Sequence, residues 1–187
     1  MPFHHKPSKR LLEQLIEKGL ICRKDCPHNL KYVDQSLLHL NKQAAIQSHF
    51  RQQYEEAIQT CNQVLAAAPD YRDCWGDPRE FRATAYASLG EYEKAVTDFS
   101  YLIDQAGPAP SPNAGKGLSW ILFNRARCYL HLDQCQSALQ DLGTAMTYAP
   151  NQDYHYFCRA KVYEKLGQQR LADMDMEQAR LLHNDND

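Results

Sequence analysis

Hydrophobic positions recur at helical spacing between residues 81 and 99, and this pattern predicts two short amphipathic helices with a break at Gly90. Two small residues, Ala83 and Ala95, stand where the helices would cross, and aromatic residues surround them. Alanine lets two helix axes approach closely, and aromatic side chains fill the remaining space with apolar surface. Since one hairpin cannot bury its own apolar face, the pattern predicts that similar hairpins follow one another along the chain.

A common register repeats four times, because alanines twelve residues apart recur along the chain. The pairs are Ala45 and Ala57, Ala83 and Ala95, Ala126 and Ala138, and Ala160 and Ala172. The segments at 82–86, 125–129 and 159–163 read RATAY, RARCY and RAKVY, and we expect a helix break after each of them. These breaks are at Gly90, Asp133 and Gly167.

This register resembles that of the tetratricopeptide-repeat (TPR) family, whose unit is a helical hairpin of about 34 residues. The step from Ala138 to Ala172 has that length. The resemblance implies an all-α, right-handed TPR α-solenoid of about four helical hairpins with an N-terminal helical extension. It assigns residues 1–37 to the extension, 38–184 to the TPR domain and 185–187 to a frayed tail. The repeats fall at about 38–71, 76–109, 119–152 and 153–184.

Residues 107–117 interrupt the repeat pattern between the second and third units. This stretch contains three prolines and three glycines. Proline removes a backbone donor and glycine weakens regular structure, so we expect an exposed irregular loop here.

The N-terminal extension has two interpretations, and both remain open. A predicted helix at about 9–18 either caps the apolar face of the first repeat or occupies the binding groove and regulates it. The following segment contains Cys22, Cys26 and His28, but no second pair of ligands follows at the spacing of a zinc finger. We therefore predict a turn there, with neither a metal nor a cofactor.

Composition narrows the classes of function. Lysine and arginine number 21 against 23 aspartate and glutamate, so the net charge of −2 argues against binding nucleic acid through bulk positive charge. No apolar run approaches the ~18 residues of a transmembrane helix. The chain has seven cysteines, several of them at core-facing helical positions, which indicates reduced thiols and predicts a cytoplasmic protein. The eight histidines form no catalytic arrangement with serine or aspartate, so we predict that the chain is not an enzyme.

The TPR resemblance implies a concave groove lined by the first helix of each hairpin, in which a peptide or partner helix binds. In the third and fourth repeats, aromatic residues lie beside basic ones and predict a binding hot spot, although some of these rings could instead pack against the neighbouring helix. The predicted groove residues are Lys42, Phe81, Trp120, Phe123, Asn124, Arg127, Tyr154, Phe157 and Lys161.

Some TPR co-chaperones hold a C-terminal carboxylate in a clamp of lysine, asparagine and arginine. The segment at 124–126, Asn-Arg-Ala, matches the middle of that motif. The flanking positions hold Glu80, Thr84, Tyr154 and Cys158 instead of the expected residues. A complete clamp is therefore not predicted.

The last hairpin carries an apolar stripe on its second helix. Leu171, Met174 and Leu181 lie on it and predict a docking edge for a partner or for a second copy, which would make a homodimer. Asp173 and Arg180 stand where earlier repeats carry apolar residues that face the next hairpin, so we expect no fifth repeat.

The prediction for function is a non-catalytic protein–protein interaction adaptor or co-chaperone-like module that binds a peptide or partner helix in the concave TPR groove. Two alternatives stay open. One is an accessory subunit of an enzyme complex, and the other is an RNA-associated helical-repeat protein, which the net charge disfavours.

Overall fold

The computed structural model describes residues 35–50, 53–73, 75–107 and 112–184, and this part of the chain folds into eight α-helices without a β-strand. The predicted N-terminal helix, the turn at 22–28 and the tail at 185–187 lie outside the described residues. The helices are α1 (Gln35–Gln47), α2 (Tyr54–Ala67), α3 (Pro78–Ser88), α4 (Tyr92–Ala106), α5 (Pro112–His131), α6 (Cys135–Tyr148), α7 (Asp153–Lys165) and α8 (Gln169–Asn184).

The chain divides into two compact units, of which the first ends at Phe81 and the second begins at Arg82. In the first unit α1 and α2 form a hairpin. Its buried residues Ala44, Ala45 and Cys61 pack together with Phe81.

The second unit begins within α3 and contains three successive hairpins. The remainder of α3 packs against α4, and the other two are made by α5 and α6 and by α7 and α8. One buried cluster brings Ala83, Ala95 and Phe99 of the first of these hairpins together with Cys128 of α5. Another brings α5 and α6 together with Cys158 and Val162 of α7. Successive hairpins of the second unit therefore bury apolar residues against one another, and the predicted all-α TPR fold is confirmed.

The alanine register predicted from the sequence is confirmed by burial. Seven of the eight alanines are fully enclosed, and the eighth, Ala45, is nearly so. The three predicted helix breaks are also confirmed. Gly90, Asp133 and Gly167 have positive φ angles of 82°, 62° and 70°, respectively. This left-handed conformation ends a helix and favours glycine; the short polar side chain of aspartate tolerates it.

The prediction of an irregular loop at 107–117 is wrong for its second half, because α5 already begins at Pro112. Proline suits the first position of a helix, where its missing N–H group would have no partner within the helix. The glycine at 115 has a packing role: a Cβ atom there would lie 3.2 Å from Cδ1 of Tyr148. Glycine therefore lets the first turns of α5 lie close to the end of α6.

A repeated ion pair that the sequence analysis did not identify joins the two helices of each hairpin in the second unit. An arginine of the first helix donates from Nε and Nη2 to both oxygens of an aspartate sixteen residues later, at 2.7–2.8 Å. The aspartates are almost fully buried. The pairs are Arg82–Asp98, Arg125–Asp141 and Arg159–Asp175.

The buried alanine positions predict a strong response to added volume. Ala126→Leu places three extra carbons at a fully enclosed crossing and should lower the free energy of unfolding by about 1–3 kcal/mol. Urea unfolding followed by far-UV circular dichroism measures this change. Ala106→Leu, at the exposed end of α4, is the matched control and should change little. Equal responses of the two variants would contradict the assigned register.

The ion pairs predict different effects of single and double substitutions. Asp141→Asn leaves the Arg125 guanidinium without its carboxylate and should lower the free energy of unfolding by about 2–3 kcal/mol. The double variant Arg125→Met with Asp141→Leu removes both charges and should recover part of that loss. As a control, Glu177→Gln removes an exposed ion pair with Arg180 and should have little effect. If Asp141→Asn is as neutral as this control, the pair does not hold the hairpin together.

Candidate functional site

An apolar cavity of about 160 Å³ opens on the second unit between α5 and α7. Five of its eight lining residues belong to the groove set predicted from the sequence. We call this region the aromatic site. The cavity is lined by Phe123, Arg127, Leu130, His131, Tyr154, Phe157, Cys158 and Lys161.

Three aromatic rings form a connected cluster at this site. The ring centroids of Phe123 and Tyr154 are 4.7 Å apart, and Trp120 lies 5.7 Å from Phe123 and 6.0 Å from Tyr154. Phe123 is buried, so it forms the base of the site and also belongs to the core. By contrast, Trp120 is 43% exposed and Phe157 is 50% exposed. Phe123 therefore packs against the neighbouring helices, which was the alternative to a binding role. Trp120 and Phe157 present large apolar surfaces to solvent.

The charged groups at this site are basic. Arg127 lies 5.7 Å from the centroid of the Phe123 ring and donates a hydrogen bond from Nη1 to Oδ1 of Asn124 at 3.3 Å. The Nζ atom of Lys161 lies 5.6 Å from the Phe157 ring and 2.8 Å from Oε2 of Glu164. None of the cavity-lining residues is acidic. The rim therefore carries two basic side chains, of which Lys161 is paired with Glu164.

The base of the site is uncharged. Nδ2 of the buried Asn124 donates to the backbone oxygen of Trp120 at 2.9 Å, so this amide is engaged within α5. Burial raises the pKa of the Cys158 thiol to about 11, although the nearby Arg127 opposes this shift. The thiol is therefore protonated at neutral pH and acts as a small apolar group.

The remaining predicted groove residues, Lys42 and Phe81, belong to the first unit. Lys42 is exposed, and its Nζ atom lies 5.3 Å from the ring centroid of Trp75. Phe81 packs with buried residues and contributes to the core rather than to an exposed surface.

The predicted docking edge is an exposed surface. Leu171, Met174 and Leu181 all lie on α8 with two-fifths or more of their surface accessible, and Met174 is the most exposed of them at 61%. Between them, Asp173 and Arg180 are exposed and form hydrogen bonds with Gln169 and Glu177 of their own helix.

A buried pair of Ser119 and His155 was not found from the sequence, because the two residues are far apart in the chain and carry no motif. Oγ of Ser119 lies 3.2 Å from Nε2 of His155, and Nδ1 of His155 donates to the backbone oxygen of Ala149 at 3.1 Å. Both side chains are fully enclosed, and burial lowers the pKa of His155. Because neither side chain reaches solvent, the pair ties α5, the end of α6 and α7 together and offers no accessible nucleophile.

The described residues were also compared with the requirements of a metal site and of a membrane-spanning helix. Among the described residues, no three histidine, cysteine, aspartate or glutamate side chains are grouped so that they could hold a metal ion. None of the described helices combines the length and the apolar character needed to cross a lipid bilayer.

Comparison with known proteins identifies relatives in sequence and in fold. The chain is 36% identical to sperm-associated antigen 1 of Mus musculus over 86 residues, which is 46% of this chain and 9% of the mouse protein. The Rattus norvegicus protein matches equally over 86 residues, or 10% of its length, so the chain spans about a tenth of these relatives. No family model matches the chain.

Solved structures of MamA share the fold. One, from AMB-1, superposes with a TM-score of 0.57 at 18% identity, covering 79% of this chain and 75% of MamA. A point mutant of MamA gives a TM-score of 0.59 at 18% identity, covering 92% of this chain and 84% of that one. Sperm-associated antigen 1 contains TPR repeats and MamA has a TPR-like fold.

TPR-type proteins are generally non-catalytic modules for protein–protein interaction. The repeated alanine register, the three stacked hairpins of the second unit and these similarities lead to the same assignment. The chain has an all-α TPR-type fold and resembles TPR proteins in part of its sequence.

Proposed function

We propose that this chain is a non-catalytic adaptor that binds a peptide or a partner helix of another protein at the aromatic site. The observation that supports this function is the exposure of Trp120 and Phe157 beside an apolar cavity with basic groups on its rim. Large aromatic side chains supply most of the binding energy in protein interfaces, and exposed apolar surface next to a concavity commonly marks a contact site.

The site favours a protein partner over the two alternatives considered from the sequence. Its positive charge is restricted to two or three groups around an apolar cavity, whereas nucleic-acid binding relies on many phosphate contacts. The enclosed Ser119–His155 pair offers no reactive group to a substrate. An interaction role therefore agrees better with the described residues than a catalytic one.

The co-chaperone form of the function receives less support than the general adaptor form. A carboxylate clamp needs cations and free amides in the groove, but Tyr154 and Cys158 are an aromatic and an apolar group here, and Asn124 is engaged within its helix. We therefore propose an adaptor whose partner is recognised mainly by apolar contact.

The exposed aromatic residues predict a direct test. Peptides are first selected from a phage-displayed random library on the immobilised protein, and their affinity for purified variants is then measured by fluorescence anisotropy. Phe157→Ala and Trp120→Ala should each weaken binding about tenfold or more, because each removes a large contact surface.

Leu89→Ala is the matched control, since Leu89 is exposed at the end of α3 and does not line the cavity. It should leave affinity unchanged. Peptides that bind both aromatic variants as tightly as the unmodified protein would show that the aromatic site is not the binding site.

A second contact surface is proposed at α8, where Leu171, Met174 and Leu181 form the docking edge. We expect the double variant Met174→Glu with Leu181→Glu to reduce self-association without loss of helicity, because it places two charges on the apolar stripe. Light scattering across a concentration series measures association. Leu166→Glu, at another exposed leucine, serves as the control. A protein that is monomeric at every concentration, with or without the substitutions, would contradict a homodimer through this edge.

A further inference from the structure

Arg127 differs from the arginines that hold the repeats together. Arg82, Arg125 and Arg159 each donate two hydrogen bonds to a buried aspartate. In the part of the chain that the structure describes, the only hydrogen-bond partner of the Arg127 guanidinium is the neutral amide of Asn124. Arg127 is exposed, and none of the described carboxylates pairs with it.

The second cation at the rim is partly neutralised. Lys161 forms an ion pair with Glu164, which lies one helical turn further along α7. Arg127 is therefore the cation at the aromatic site that would interact most strongly with a negatively charged group of a ligand. Arginine binds a carboxylate through two parallel hydrogen bonds, so an acidic side chain is a suitable ligand for it.

The base of the cavity excludes the same charge. Phe123, Tyr154 and Cys158 are apolar or weakly polar there, and the Asn124 amide already donates to Trp120. A carboxylate placed against these groups would lose its hydration without meeting a positive charge, which is costly. The apolar part of a ligand must then face the cavity, and its negative charge must stay at the rim.

The size of the cavity limits what enters it. Pockets for small-molecule ligands usually enclose about 300–1,000 Å³. The cavity here measures about 160 Å³, which suits a single apolar side chain of a larger ligand. Trp120 and Phe157 provide exposed surface on which the flanking residues of such a ligand can lie.

We propose that the aromatic site recognises an internal segment of a partner protein in which an apolar side chain adjoins an acidic one. The apolar side chain enters the cavity, and the acidic side chain pairs with Arg127. This inference rests on the proposed adaptor function and specifies the partner's chemistry. It also distinguishes the site from one that captures a chain terminus, since the charge it meets lies at the rim rather than at the base.

The first experiment compares five pools of randomised nine-residue peptides by fluorescence anisotropy. Four pools have blocked termini. Three of them combine apolar residues with acidic, basic or neutral polar residues, and the fourth contains acidic residues without apolar ones. The fifth contains apolar residues, no acidic side chain and a free terminal carboxylate. We expect the apolar–acidic pool to bind about five- to tenfold more tightly than the others at low salt, and the advantage should decrease as salt rises.

The second experiment reverses the charge at the rim. Arg127→Glu should shift the preference from the apolar–acidic to the apolar–basic pool, because the new carboxylate repels the former and attracts the latter. Arg170→Glu makes the same change in net charge at an exposed position on α8 and should leave the preference as it is. Circular dichroism of both variants shows whether helicity is retained.

The outcomes separate this inference from the proposed function. Binding that depends on Phe157 but shows no preference for acidic peptides, or prefers the free terminal carboxylate, overturns the inference and leaves the adaptor function standing. The same holds if Arg127→Glu behaves like Arg170→Glu. If no pool binds in a manner that depends on Phe157, both proposals are wrong.

Discussion

The bidentate pair between an arginine and an aspartate sixteen residues later is the interaction on which the second unit depends. Its aspartates are almost fully buried, so each carboxylate must keep its arginine or remain as an unpaired buried charge. Two parallel hydrogen bonds also restrict the relative orientation of the two helices more than apolar contact does. The first hairpin lacks the pair: the equivalent positions are Ala44 and Thr60, and Thr60 donates instead to Gln47 at 3.0 Å.

The ion pair also distinguishes two kinds of arginine on α5: one that holds the hairpin together and one that can bind a ligand. Arg125 and Arg127 are two residues apart and therefore lie on different faces of the helix. Arg125 binds Asp141 within the hairpin, whereas Arg127 lies at the edge of the aromatic site and, among the described residues, bonds to the neutral Asn124. The same division occurs on α7, where Arg159 binds Asp175 and Lys161 lies at the cavity. Each of these two helices thus has one basic residue that holds the hairpin and another that lies at the rim.

Much of the fold could be predicted from the sequence because the repeats constrain the same positions several times. The enclosed alanines and the breaks at Gly90, Asp133 and Gly167 follow from local periodicity. The start of α5 could not be predicted, because the contact of Gly115 with Tyr148 depends on tertiary packing. Tertiary packing also decides which aromatic residues are exposed. The sequence therefore predicted one group of groove aromatics but did not distinguish buried Phe123 from exposed Phe157. The Arg–Asp pairs had a detectable signal, namely identical sixteen-residue spacing in three repeats.

The resemblance to a carboxylate clamp has a structural explanation. The matching segment is Asn-Arg-Ala at 124–126. Arg125 binds Asp141 and Ala126 is fully buried, so two of these three residues stabilise the hairpin. The third, Asn124, bonds to its own helix and to Arg127. A match to this motif can therefore persist where the clamp's chemistry is absent. With Tyr154 and Cys158 at the cavity, positive charge lies at the rim of an apolar site, and we propose that apolar contact supplies most of the affinity while charge selects the ligand.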